Sequence, residues 1–132
     1  MDKRTTILIV DDSAANLQLC RGLLSNLYDV RLAKSGKMAL DILERLKPGI
    51  ILLDIEMPEM SGFEVMKEIR QKSKLKDIPV IFVTAHATEK LVTEAVQYGA
   101  ADYLVKPFEA SLLRAKIQTA LLGGRGAPLI KY

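Results

Sequence analysis

The sequence predicts an α/β fold, a doubly wound five-stranded parallel sheet with five helices, and three observations carry that expectation. Short, wholly apolar runs recur at Ile7–Val10, Ile50–Leu53 and Val80–Val83, as expected of parallel strands covered on both faces. Segments with apolar residues every three to four positions alternate with the strand-like runs, giving five strand-then-helix units in succession. Repeated units of this kind close with right-handed crossovers, which places helices on both faces of one sheet.

Each element has its own signature. Ile7–Val10 opens the chain as a strand, and a helix follows from about Ala14 to Leu27 with Leu17, Cys20, Leu24 and Leu27 on one stripe. Val30-Arg31-Leu32-Ala33-Lys34 half alternates, which suits an edge strand. The stretch Lys37–Leu46 carries Leu40, Leu43 and Leu46 on one face and is ended by Pro48-Gly49. Ile50–Leu53 is the second buried strand, followed by an irregular loop and a helix near Gly62–Gln71. Val80–Val83 precedes a helix near Thr88–Tyr98 that Gly99 stops, and Tyr103-Leu104-Val105 precedes the last helix, Glu109–Leu122. The expected domain is therefore 1–122, with 123–132 a flexible C-terminal tail or linker stub, Gly123-Gly124-Arg125-Gly126 setting its character.

Composition narrows the function classes. A chain of 132 residues with 49% apolar and 27% charged residues has room for one domain and a real core. One cysteine, Cys20, excludes an internal disulfide and a cysteine-based zinc site and suits a reducing cytoplasm. No apolar run approaches membrane-spanning length, and the opening residues lack the apolar stretch of a signal peptide, so a cytoplasmic protein without a membrane partner is expected. The net charge of +3 falls to +1 without residues 123–132, since Arg125 and Lys131 leave 17 basic against 16 acidic residues. That balance argues against direct binding of nucleic acid. The densest basic stretch, Arg70 to Lys76, reads as a solvated helix end and loop.

In doubly wound sheets the functional site lies beyond the carboxyl ends of the strands. The residues there are Asp11 and Asp12, Ala33-Lys34-Ser35, Asp54, Thr84 and Lys106. If the first and third strands are neighbours, three carboxylates converge and repel one another unless a cation joins them. Hard oxygen donors without a nearby imidazole or thiolate favour Mg²⁺, with Mn²⁺ as the substitute, and Mg²⁺ recruits phosphate oxygens. Phosphoryl transfer is then the natural chemistry, with Asp54 as nucleophile forming an acyl phosphate, Lys106 neutralising one phosphoryl oxygen and the Thr84 hydroxyl donating to another. The bland alternative for Asp11-Asp12 is capping of the first helix. Ser35-Gly36-Lys37 is not a nucleotide loop, because Arg31 stands where a glycine is required and Met38 replaces the Ser/Thr. His86, the one histidine, is a loop residue two positions after Thr84, and no serine has an obvious histidine partner.

With these residues in order, the chain resembles the receiver, or phospho-acceptor, domain of a bacterial two-component response regulator. The resemblance rests on Ile7-Leu8-Ile9-Val10-Asp11-Asp12, Leu52-Leu53-Asp54-Ile55-Glu56-Met57-Pro58-Glu59-Met60-Ser61-Gly62, Ile78 to Ala85 and Gly99 to Phe108, and it covers about residues 5–122. It implies a flavodoxin-like sheet of order 2-1-3-4-5. It implies that Asp54 accepts a phosphoryl group from a histidine kinase or phosphotransfer protein, or from a small donor such as acetyl phosphate. Asp12 would ligate Mg²⁺ directly and Asp11 through water, with the main-chain carbonyl of Glu56 completing the protein ligands. Thr84 and Lys106 would bind the phosphoryl group, and Tyr103 would turn inward when Thr84 moves. Lys106-Pro107 would be cis, and Glu56 and His86 would tune dephosphorylation. Such a domain is regulatory rather than an enzyme on an outside substrate. Its switching surface would be the fourth helix, last strand and last helix, which also offers a route to a homodimer. Ile78–Leu122 is similar to receivers that precede cyclic-di-GMP enzymes, and nothing after Leu122 is long enough for an output domain, so the chain is expected to be either a stand-alone receiver or part of a longer protein. Two competing classes are a metal-dependent phosphohydrolase and a phosphorylation-independent interaction module. The first often has Asp-x-Asp at its nucleophile, where this chain has Asp54-Ile55-Glu56; the second would have lost a site residue.

Overall fold

The computed structural model describes residues 3–123, so the expected tail from residue 124 onward lies outside the described residues. Five strands and five helices alternate: β1 Thr6–Val10, α1 Ala14–Leu24, β2 Asp29–Ala33, α2 Gly36–Leu43, β3 Ile50–Asp54, α3 Gly62–Arg70, β4 Val80–Thr84, α4 Glu89–Gln97, β5 Asp102–Val105 and α5 Ala110–Gly123. The strands are parallel, in the order β2-β1-β3-β4-β5, as the resemblance implied. Gly123, expected in the tail, is the last residue of α5.

Alternation along the strands divides the interior into two cores. Leu8, Val10, Ile51, Leu53, Val80 and Phe82 face one way and pack with Ala39, Leu43, Phe63, Met66, Ile69 and Ala95 of α2, α3 and α4. Ile7, Ile9, Ile50, Leu52, Ile81, Val83 and Leu104 face the other way, against Leu17, Cys20, Leu24, Leu113, Ile117 and Ala120 of α1 and α5. Every residue of β3 and β4 is buried, which is why those runs are apolar without alternation.

Two helix ends differ from the apolar periodicity. α1 stops at Leu24 because the chain turns through Ser25 and Asn26 to enter β2, with the Leu27 and Tyr28 N–H groups both donating to the Leu24 carbonyl; Leu27 is 55% exposed. α2 stops at Leu43, and Leu46 lies in the turn that follows, its N–H on the Ile42 carbonyl. α4 ends as expected, with Gly99 at φ 75°, a left-handed conformation that glycine adopts without steric cost. In the basic stretch, the lysines are exposed but Arg70 is not a solvated end: it is half-buried and donates to the carbonyls of Lys76, Ile78, Tyr98 and Gly99. Burial lowers its pKa, with Asp77 opposing. One guanidinium thus ties the end of α3 to the entry of β4 and the end of α4.

Candidate functional site

Strand register brings the site together. Val10 pairs with Leu53, so Asp11 and Asp54 lie side by side one step further along. Asp54 pairs with Val83 and Thr84 with Val105, which puts Lys106 one step beyond Thr84. Asp54 and Thr84 are the last residues of their strands, and one further hydrogen bond holds each end in place, from the Ile55 N–H to the Val83 carbonyl and from the Lys106 N–H to the Thr84 carbonyl. The Lys106-Pro107 peptide is cis.

The carboxylates of Asp11, Asp12 and Asp54 offer oxygens within 4.8 Å of one another, the first and last buried and Asp12 exposed. Lys106 Nζ stands 3.0 Å from Asp11 Oδ2 and 3.3 Å from Asp54 Oδ2. One ammonium therefore contacts two of the three clustered carboxylates. Burial, with the Asp11 charge next, pushes the Asp54 carboxyl up from 3.8 to about 6 even though Lys106 opposes both. Lys106 is held above its usual value: burial works against its charge, but the hydrogen bonds and charges of Asp11 and Asp54 outweigh it. Burial and the same Asp11 charge push the Cys20 thiol up to about 11, so it is a protonated, inert neighbour.

The two aspartates after β1 do not cap α1. That role belongs to Ser13, whose hydroxyl accepts from the Asn16 N–H at 3.2 Å. Asp11 instead accepts the Ser13 N–H on Oδ1 at 2.9 Å and the Asn16 side-chain amide on Oδ2 at 3.3 Å. Sequence reasoning missed Asn16; the hint was a poor helix former in the first turn, three residues after a capping serine.

Thr84 is buried but directed elsewhere. Its hydroxyl lies 3.3 Å from a Glu56 carboxylate oxygen and 3.2 Å from the His86 carbonyl, and it accepts the His86 N–H at 3.1 Å. Beside it, a cavity of about 10 Å³ is lined by Ile55, Thr84, Ala87, Leu91, Val92, Ala95 and Tyr103. Tyr103 is half-buried, with Lys116 Nζ 5.2 Å above its ring. Glu56 and His86 are both exposed at the rim, and the Glu56 carbonyl accepts no backbone hydrogen bond among the described residues. The loop that carries Glu56 to α3 is pinned at Gly62, whose N–H donates to the Ile55 carbonyl; a side chain there would meet the Asp54 carbonyl oxygen at 2.3 Å.

A five-stranded sheet of this order, with clustered carboxylates and a lysine at its carboxyl end, defines the class of flavodoxin-like signalling receivers. The family model for the response regulator receiver domain matches residues 7–118, and the chain belongs to that family. It is 39% identical over 95% of its length to a Vibrio cholerae protein named "Probable cyclic di-GMP phosphodiesterase", covering 28% of that protein. It is 36% identical over 86% of its length to regulatory protein LuxO of the same organism, covering 25% of it. The chain thus spans about a quarter of the length of these curated relatives. Among solved structures it is similar to chemotaxis protein CheY4 of Vibrio cholerae, with a TM-score of 0.85, 31% identity, and 89% and 98% of the two chains covered. A beryllofluoride-activated DrrB receiver domain gives a TM-score of 0.81 at 26% identity, with 90% and 98% covered. The domain is regulatory in class, and no helix among the described residues is long and apolar enough to cross a membrane.

Proposed function

We propose that this chain is a phospho-accepting receiver that takes a phosphoryl group on Asp54 in a Mg²⁺-dependent reaction. The observation that carries the reading is the buried Asp54 carboxylate, in contact with Lys106 and grouped with Asp11 and Asp12. The donor set fits a hard divalent cation: all oxygen, with more negative charge than Lys106 can balance. Asp12, Asp54 and the Glu56 carbonyl would hold Mg²⁺, with Asp11 acting through a bound water; Mn²⁺ would serve in its place. When bound, the cation offsets carboxylate repulsion and withdraws charge from phosphoryl oxygens. Asp54 attacks phosphorus through a carboxylate oxygen, a new O–P bond forms, and the donor's bond to phosphorus breaks with its electron pair leaving on the donor atom. Lys106 turns from its two carboxylates toward a phosphoryl oxygen, and Thr84 gives up Glu56 to donate to another.

The donors are a histidine kinase or phosphotransfer protein and small acyl phosphates such as acetyl phosphate. On this reading the domain lies in the cytoplasm with these donors and away from the membrane, and the near balance of basic and acidic residues outside 123–132 argues against direct contact with nucleic acid. Withdrawal of Thr84 enlarges the cavity beside Tyr103, which as it stands holds no more than about one water, so the ring gains room to turn in and α4, β5 and α5 change surface. Val96, Val105 and Leu112 are already exposed there and are the apolar contacts for a partner or a second copy. Glu56 and His86 at the rim set the lifetime of the acyl phosphate, and residues 1–122 act as the receiver unit. A cyclic-di-GMP enzyme is one output such a receiver could govern, supported by the similarity to the phosphodiesterase-named relative.

Mass measurement after incubation with acetyl phosphate and Mg²⁺ tests the reading. The expected result is a labile gain of one phosphoryl group in the wild type and none in Asp54→Asn. Steady turnover of unrelated phosphoesters without that gain would indicate the phosphohydrolase; neither, with both proteins folded, would indicate a phosphorylation-independent module.

A further inference from the structure

Asp11 is a buried carboxylate held by three donors from three parts of the chain. The Ser13 N–H fixes Oδ1 at 2.9 Å, while Oδ2 is shared between Lys106 Nζ at 3.0 Å and the Asn16 amide at 3.3 Å. The two donors on Oδ2 differ in kind. Lys106 also contacts Asp54 and must turn to a phosphoryl oxygen when one arrives, whereas Asn16 sits in the first turn of α1, with its backbone N–H on the capping Ser13. A buried carboxylate oxygen that loses its only donor is costly. We propose that Asn16 is a positioning residue for the cation site: its amide keeps the Asp11 carboxylate oriented and satisfied when Lys106 moves away. This rests on the reading of Asp11, Asp12 and Asp54 as a Mg²⁺ site.

The role differs from that of a cap or a core residue. Ser13 supplies the cap, and the Asn16 side chain reaches the site rather than the apolar stripe of Leu17, Cys20 and Leu24. Its loss therefore acts on Asp11 and, through Asp11, on the cation.

Calorimetric titration of Mg²⁺ into wild type, Asn16→Leu and Asn16→Ala, each with excess beryllofluoride present as a phosphoryl mimic to draw Lys106 away from Asp11, tests this, with Gln18→Ala, an exposed position on the same helix, as control. Asn16→Leu and Asn16→Ala should weaken Mg²⁺ binding by about 3- to 10-fold, less than the roughly 10- to 100-fold typical of hydrogen bonds that support direct metal ligands, because Asp11 acts through water. Gln18→Ala should bind as the wild type does. If the bulkier leucine disturbs the fold, seen by circular dichroism, the alanine variant alone decides. Wild-type binding with unchanged affinity in the folded Asn16 variant overturns the inference and leaves the site reading intact. No Mg²⁺ binding by the wild type overturns both.

Discussion

Without a divalent cation, the ionised Asp54 carboxylate destabilises the fold. Its carboxyl is raised from 3.8 to about 6 by burial and by Asp11, so the folded state holds the proton more tightly than the unfolded chain. Because the folded pKa is the higher one, stability falls as pH rises from about 4 to about 6 and is flat above. Each pH unit between the two values is worth about 1.4 kcal/mol, so the total reaches about 3 kcal/mol at neutral pH. Asp54→Asn removes the titration and nearly preserves the shape. At pH 3, below both values, where the aspartate is mostly protonated in the folded and the unfolded state, the two proteins should be nearly equally stable; at pH 7.5 in a chelator the variant should lead by about 3 kcal/mol, roughly 12 °C in melting temperature for a domain of this size. Urea denaturation across that range, read by circular dichroism, measures the difference directly, and the carboxylates away from this cluster cancel between the two proteins. Saturating Mg²⁺ should shrink the lead, since it binds only the folded wild-type cluster well. A gap independent of pH, or a wild type more stable than the variant at pH 7.5, would refute the electrostatic account of this site.

Three further outcomes follow from contacts elsewhere. Gly62→Ala places a methyl group against the Asp54 carbonyl and the Ile55 Cα, backbone that has no easy escape, so urea denaturation should show a loss of about 1–3 kcal/mol and phosphorylation by acetyl phosphate should slow further than the stability loss explains. Arg70→Met strips the donor from four carbonyls and should lower stability by about 2–4 kcal/mol, with the phosphorylation site itself still able to take label. Glu56→Ala removes an exposed anion beside the phosphoryl position, so stability should stay within about 0.5 kcal/mol while timed loss of label shows a shorter acyl-phosphate lifetime.

The order of the elements was legible because apolar runs and helical stripes report which face is buried. Where an element stops was less so: Leu27 and Leu46 continue their stripes on paper, yet turns into the next segment end both helices first. Asp54, Lys106 and the aspartate pair could be read from their places after strands, and a cis Lys106-Pro107 from the resemblance. Arg70 and Asn16 could not, since both act by bonding to distant carbonyls or to a carboxylate, and neither periodicity nor spacing carries that information.

Strand parity sets the proposed phosphoryl site and the proposed switch on separate yet adjacent faces of the sheet. Ile7, Ile9 and Asp11 share one face, as do Ile50, Leu52 and Asp54, and as do Asp102 and Leu104 ahead of Lys106; this is the side of α1 and α5. Asp11, Asp54 and Lys106 therefore meet one another, and Asn16 of α1 meets Asp11. Val80, Phe82 and Thr84 face the other way, toward α4, and Tyr103 shares that side. A side-chain link between the two sides lies at the rim, where Glu56 follows Asp54 by two residues and reaches the Thr84 hydroxyl. On the proposed reading, a group added to Asp54 on the α1/α5 side changes α4 by drawing Thr84 away from Glu56 and His86. Thr84→Val should therefore separate the two sides: Asp54 should still take label, because its contacts with Lys106 and Asp11 are untouched, while NMR shifts on adding beryllofluoride should remain near Asp54 instead of extending to Leu91, Val92 and Tyr103. Shifts that reach α4 in that variant as they do in the wild type would place the coupling in another contact.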